Sequence, residues 1–168
     1  MQRRSILKLG IGAAAVLALA GGGMALLRPG LVAGRLTPEA SAVFHAVARA
    51  VLDGSLPAAA EARETALQSH MKRLGDTLAA FPAPTQNELS QLLSLLASAG
   101  GRLALAGLPT AWNEASVTAI QEALQSMRTS SLALREQTYH ALRDLTNAAY
   151  YADPDTWSLL GYPGPVAV

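Results

Sequence analysis

Residues 132–152 read LALREQTYHALRDLTNAAYYA, twenty-one residues without glycine or proline, and Tyr139, Leu142, Leu145 and Ala149 fall on one face at spacings of three and four. That period is helical, and the apolar face it creates needs other helices to cover it. The stretch before it follows the same rule. From about Asn113, the residues Val117, Ile120, Leu124 and Met127 form a second stripe, separated from the first by Thr129-Ser130-Ser131. Two consecutive amphipathic helices joined by a short polar turn predict an antiparallel pair, the building unit of an all-α bundle.

The pattern extends toward the N-terminus. Thr37-Pro38-Glu39 reads as an N-cap with proline at the first helical position, followed by Val43, Phe44, Val47 and Val51 on one face and a stop at Gly54. A second segment over residues 57–81 places Leu67, Met71, Leu74, Leu78 and Phe81 in one stripe. Pro82 and Pro84 then break the chain, and Thr85-Gln86-Asn87-Glu88 has the capping-box pattern. Leu89, Leu92, Leu93 and Leu96 continue helically up to Gly100-Gly101, and residues 103–108 suggest a short helix after a bend. Ala and Leu supply much of the 51% hydrophobic content, whereas strand-favouring residues are scattered. The expectation is a compact helical bundle over residues 35–152 with no internal repeat.

What precedes the bundle has the composition of an address. Residues 1–34 carry Arg3, Arg4, Lys8 and Arg28 and no acid, and residues 9–27 are uncharged. A basic start followed by a Gly/Ala-rich apolar run is the anatomy of an export signal. Arg3-Arg4-Ser5-Ile6-Leu7-Lys8 matches the twin-arginine consensus except that Ile6 stands where a bulky aromatic is common. The segment is read as a twin-arginine signal peptide or an uncleaved membrane anchor, because nineteen uncharged residues are about enough to span a bilayer core. From Arg35 onward nine Lys and Arg face twelve Asp and Glu, a net −3 that argues against a nucleic-acid surface.

Residues 153–168 form the third region. Four of the eight aromatic residues (Tyr150, Tyr151, Trp157, Tyr162) and three of the nine prolines (Pro154, Pro163, Pro165) lie in the last nineteen positions. Asp153-Pro154 repeats the N-cap and proline pattern, predicting a short helical turn that carries Trp157 and ends at Gly161. Tyr162-Pro163-Gly164-Pro165 fits neither helix interior nor central strand.

Catalytic and cofactor motifs are scarce. The absence of cysteine excludes disulfides, thiolate metal sites and covalent haem attachment on this chain. No Gly-rich phosphate loop or nucleophile elbow follows the signal segment. Glu136 and His140 share a helical i, i+4 spacing, which is more often a surface pair than a site. Arg128, Arg135, Tyr139, Trp112 and Trp157 are of the residue types that dominate interface hot spots, but such arginines are more often a solvated helical face, and of core anchor and interface anchor the tryptophans taken alone favour the core. No catalytic, cofactor-binding or metal residue is assigned.

Trp112 with Ala115-Ser116, then Arg128, Ser131, Arg135 and Tyr139, then Tyr150-Tyr151, Asp153-Pro154, Trp157 and Gly161-Tyr162-Pro163-Gly164-Pro165 resemble the gluconate 2-dehydrogenase subunit 3 family. The resemblance covers about residues 37–165 and is concentrated after Trp112. It implies a non-catalytic small subunit carrying the twin-arginine signal for a large FAD-containing dehydrogenase subunit of the glucose–methanol–choline type, with or without a multihaem cytochrome c subunit. FAD would then belong to the partner, the twin-arginine translocase would be a transient partner, and the complex would work in the periplasm, free or anchored in the inner membrane. Partner-binding candidates on that reading are Trp112, Arg128, Arg135, Tyr139, Tyr150, Tyr151, Trp157, Tyr162, Pro163 and Pro165. Two other readings stay open, a membrane-tethered helical scaffold with no dehydrogenase and a self-contained enzyme with a dispersed site.

Overall fold

A computed structural model describes residues 28–164, so the expected signal residues Arg3, Arg4, Ile6, Leu7 and Lys8 and the terminal Pro165 lie outside the described residues. Among the described residues six α-helices pack together: α1 (Pro38–Val51), α2 (Ala60–Ala79), α3 (Ala83–Ala97), α4 (Ala99–Ala106), α5 (Val117–Arg128) and α6 (Ala133–Tyr151). A 3-10 helix (Pro154–Leu160) follows α6, and a two-stranded antiparallel hairpin, β1 (Leu31–Val32) and β2 (Arg35–Leu36), precedes α1.

α1 is the central element and packs against α2, α3, α5 and α6. Its sequence explains that position, because small alanines alternate with Val43, Phe44 and Val47, so neighbours can approach nearly all round; these residues are fully buried. Thr37 caps its start, accepting from the Ala40 amide at 3.4 Å, with Pro38 at the first position as expected. At its far end Gln121 of α5 donates to the Ala50 carbonyl and to Asp53, both at 3.2 Å, closing a carbonyl that the helix itself leaves open.

Outside α1 the structure departs from the sequence reading in several places. The hairpin straddles the expected boundary between the signal segment and the bundle at residue 35, and Gly30 donates its amide to the Ser90 carbonyl, Leu31 donates to Ser90 Oγ at 3.0 Å, and Ser94 donates to the Arg28 carbonyl at 2.6 Å. The packed chain therefore begins at least seven residues before Arg35. The Thr85 capping box is not used, because α3 starts at Ala83 with Pro84 in its first turn and no side-chain cap. Gln86 turns away from its own helix and donates to the Ala79 and Phe81 carbonyls, sealing the end of α2 instead. The bend between α3 and α4, 97°, falls at Ser98 and not at Gly100-Gly101. Ser98 Oγ donates to Leu95 and accepts from the Gly101 amide, so one hydroxyl serves both helix ends, and a Cβ on Gly101 would collide with the Leu95 carbonyl. Finally, α5 begins at Val117, capped by Ser116, and residues 113–115 form a turn and bend ahead of it.

On α6 the buried face runs through Thr138, Leu142, Thr146, Ala149 and Tyr150, one step from the expected one; Tyr139 and Leu145 flank it, half-buried. Thr138 can occupy an interior position because its hydroxyl donates to the Leu134 carbonyl in its own helix at 2.8 Å. Likewise the inner face of α2 is Leu67, His70, Leu74 and Leu78, with Met71 and Phe81 at its edges.

The hairpin makes a prediction of its own. A Cβ on Gly30 would stand 2.5 Å from Leu93 Cβ and 2.8 Å from the Ser90 carbonyl oxygen, neither of which is the end of a flexible side chain. Gly30→Ala should therefore push the hairpin off α3 and lower stability by about 1–3 kcal/mol in denaturant titration, the usual cost of overpacking. An unchanged midpoint would mean that the hairpin contributes nothing to the fold.

Candidate partner interface

The residues that close α6 also begin the terminal segment. Asp153 caps the 3-10 helix by accepting from the Asp155 amide at 3.2 Å, Pro154 sets its first φ, and Gly161 ends it with φ +68. Thr156 donates to the Asp153 carbonyl at 2.7 Å and lies close enough to that of Tyr150, at 3.3 Å, to share the bond. The Trp157 indole donates to the Tyr151 carbonyl at 2.9 Å. These bonds fold the segment back along the end of α6.

Other bonds fasten that end to the rest of the molecule. The Arg73 guanidinium of α2 donates to the Ala149 carbonyl at 2.9 Å and pairs with Asp153 at 2.8 Å, with both side chains about a quarter exposed. Tyr150 donates to the Ser55 carbonyl at 2.9 Å, and the Tyr151 hydroxyl meets Ser55 Oγ at 3.2 Å. The two tyrosine rings meet edge to face at 5.2 Å. Burial is the main reason the Tyr150 phenol is pushed above its ordinary range, with smaller upward contributions from Tyr151 and Asp153 opposed by Arg73.

The terminal aromatics therefore divide into two sets. Tyr150 is buried and packs with Ala48, Leu52 and Leu67 in a small cluster distinct from the main core. Trp157 is half-buried, and Tyr162 leans on it with ring centroids 5.3 Å apart. Facing outward are Tyr162 at 48%, Leu159 at 55% and Leu160 at 58% exposure, followed by exposed Pro163. Leu159 and Leu160 were not singled out in the sequence; a Leu-Leu pair after a Pro-started turn is too common to draw notice without knowing which side faces solvent.

The remaining candidates do not join this surface as a group. Trp112 is 3% exposed, and its indole donates to the Leu96 carbonyl at 2.7 Å, filling a bond at the end of α3 where the chain bends away. As a partner contact it is therefore corrected to a core residue, and Tyr150 likewise. Arg135, half-buried, donates to the Leu105 carbonyl at 2.8 Å and to Ser126 at 2.9 Å, tying α4 and α5 to α6. Arg128 is exposed and held by Gln125 of its own helix. Tyr139 lies half-buried, edge-on to the exposed His140 ring.

The chemical inventory is thin. Glu136 and His140 stand 4.0 Å apart on an open helix face, each about half exposed. Among the described residues no group of three His, Cys, Asp or Glu side chains could hold a metal ion. An open depression on α5 is lined by Thr118, Gln121, Glu122, Gln125, Ser126 and Thr129, a solvated face with a single titratable group. Nor is any single helix among them long and apolar enough to cross a membrane. His70 is the residue that sequence reasoning passed over. It is fully buried, with neither ring nitrogen bonded, and its spacing of three from Leu67 and four from Leu74 would have placed it on the inner face.

Comparison of the chain with protein-family models, with curated proteins and with solved structures finds no match.

Proposed function

We propose that the protein is a non-catalytic small subunit that accompanies a flavin-dependent dehydrogenase through twin-arginine export and stabilises it in the periplasm. The observation that carries the reading most is the terminal segment, in which an outward row of Leu159, Leu160 and Tyr162 stands on a turn whose inner side is bonded to α6. Such a row is held in place before any partner arrives, so docking orders little additional chain. The Arg3-Arg4 signature and the resemblance of the C-terminal half to the dehydrogenase small subunits supply the rest of the support. On this reading FAD sits in the large subunit, and the small one contributes surface and address.

Purification of the full chain through a tag tests it. The expected result is a second, larger chain with a flavin absorption spectrum, stoichiometric with this one, and no dehydrogenase turnover by the small chain alone. Arg3→Lys with Arg4→Lys keeps the charge and should leave both chains in the cytoplasm. Copurification with no flavoprotein would favour a tethered scaffold, turnover by the isolated chain an enzyme, and normal delivery of the partner with the double variant would refute the escort role.

A further inference from the structure

His70 is an unusual interior residue. It sits on the inner face of α2 with no solvent exposure, and neither Nδ1 nor Nε2 has a hydrogen-bond partner in the protein. A neutral imidazole tolerates this at modest cost. An imidazolium does not, because a buried charge needs acceptors for both N–H groups and a counter-charge.

The surroundings offer neither. Arg73 of its own helix and His45 of α1 act on the ring electrostatically, and the Tyr150 ring of α6 lies 6.2 Å away, centroid to centroid. Arg73 is cationic, and the Tyr150 hydroxyl, which donates to the Ser55 carbonyl, makes no hydrogen bond with either His70 nitrogen. Asp153, a carboxylate of the same network, is paired with Arg73 at 2.8 Å.

The same junction is the seat of the terminal segment. Arg73, one turn beyond His70, bonds the Ala149 carbonyl and Asp153, while Tyr150 bonds Ser55 and its carbonyl is shared by Thr156. Tyr150 belongs to the small cluster with Ala48, Leu52 and Leu67 and not to the main core. A unit so bounded can open without the rest.

We propose that His70 is an acid-sensitive latch: its protonation unseats Tyr150 and releases residues 150–164 while the main helical core stays folded. The inference is independent of any dehydrogenase partner, and its failure would leave the escort reading untouched, because the chain is tested alone. Burial first, then Arg73 and His45, hold the imidazole down from 6.5 to about 4. A group whose folded pKa is depressed binds fewer protons when seated, so the seat is at full strength above about pH 6.5 and weakens as pH falls toward 4. That gap corresponds to a shift of up to about 300-fold in the ratio of released to seated segment.

Hydrogen exchange of the full chain, corrected for the intrinsic pH dependence of amide exchange, reads it directly. Expected is a loss of protection in residues 150–164, up to about 300-fold across that window, with α1 and α5 unchanged. His70→Leu should abolish the pH dependence in the segment; His70→Phe serves the same purpose should the first variant fold poorly, and His140→Gln should leave it intact. In the wild-type chain the His70 imidazole C–H signals should titrate in step with the loss. Loss in step with the whole domain, loss undiminished in the apolar variants, no loss at all, or a His70 ring that titrates out of step would each overturn the latch.

Discussion

Trp112→Ala should lower the thermal unfolding midpoint by about 10 °C or more. The side chain is buried in the main core, and truncating a tryptophan of that kind costs about 3–5 kcal/mol through lost transfer free energy and the cavity left behind. Its indole also supplies the 2.7 Å bond to the Leu96 carbonyl, and the shortened side chain leaves that acceptor without its partner at the Ser98 bend. For a domain of this size each kcal/mol is worth roughly 2–4 °C or somewhat more. Differential scanning calorimetry at neutral pH is the measurement. A shift under about 2 °C would mean that Trp112 is not the core anchor its burial indicates, and would return it to the surface candidates. Trp112→Phe, which keeps most of the volume and loses only the N–H, should recover much of the loss and so separates the cavity from the hydrogen bond.

That residue also marks the limit of what one sequence discloses. An isolated tryptophan between Pro109 and Ser116 has the same local signature whether it fills a core or projects to a partner, and only the path of α3 after Ser98 decides between them. The helical class and the start of α1 were legible because Thr37-Pro38 is a local device with a local cause. The start of α3 was misplaced for the opposite reason, since Thr85 and Glu88 satisfy the pattern while Pro84 has already begun the helix. The hairpin escaped notice because two residues per strand are too few to show alternation; its bonds to Ser90 and Ser94 span about sixty positions of sequence. On α6 the buried face was offset because hydrophobicity alone cannot foresee that Thr138 and Thr146 turn inward.

The candidate site was half legible on the same grounds. Clustered aromatics and prolines pointed to the terminal segment, and Asp153-Pro154 gave its start, but which rings face inward depends on Ser55 and Arg73, which belong to other parts of the chain. The structure thereby separates two roles that the composition had merged, with Tyr150 holding the segment and Tyr162 displayed on it.

If the outward row is the docking surface, Leu159→Ser, Leu160→Ser and Tyr162→Ser combined should weaken binding of the flavoprotein on the order of a hundredfold or more, while the domain melts where it did. The two expectations follow from the same exposure. All three side chains are about half or more in solvent, and surface substitutions away from caps and buried networks usually change stability by about 0.5 kcal/mol or less. The bonds that fasten the segment, from Thr156, the Trp157 indole and the Tyr162 backbone amide, do not involve the replaced side-chain atoms. At an interface the balance reverses, since a desolvated tyrosine can be worth about 2 kcal/mol or more and two leucines add apolar area at about 25 cal/mol per Å². Titration of the purified partner with wild-type and variant chains, alongside a melting curve of each, gives both quantities. Unchanged affinity would remove these residues from the interface. A melting point lowered by about 5 °C or more, on the scale of roughly 2–4 °C per kcal/mol, would show instead that the segment seals the domain's own core, with Tyr162 acting through Trp157. Because Trp112→Ala is expected to move stability and the triple variant to move affinity, the pair distinguishes a residue that builds the domain from residues that would face a partner.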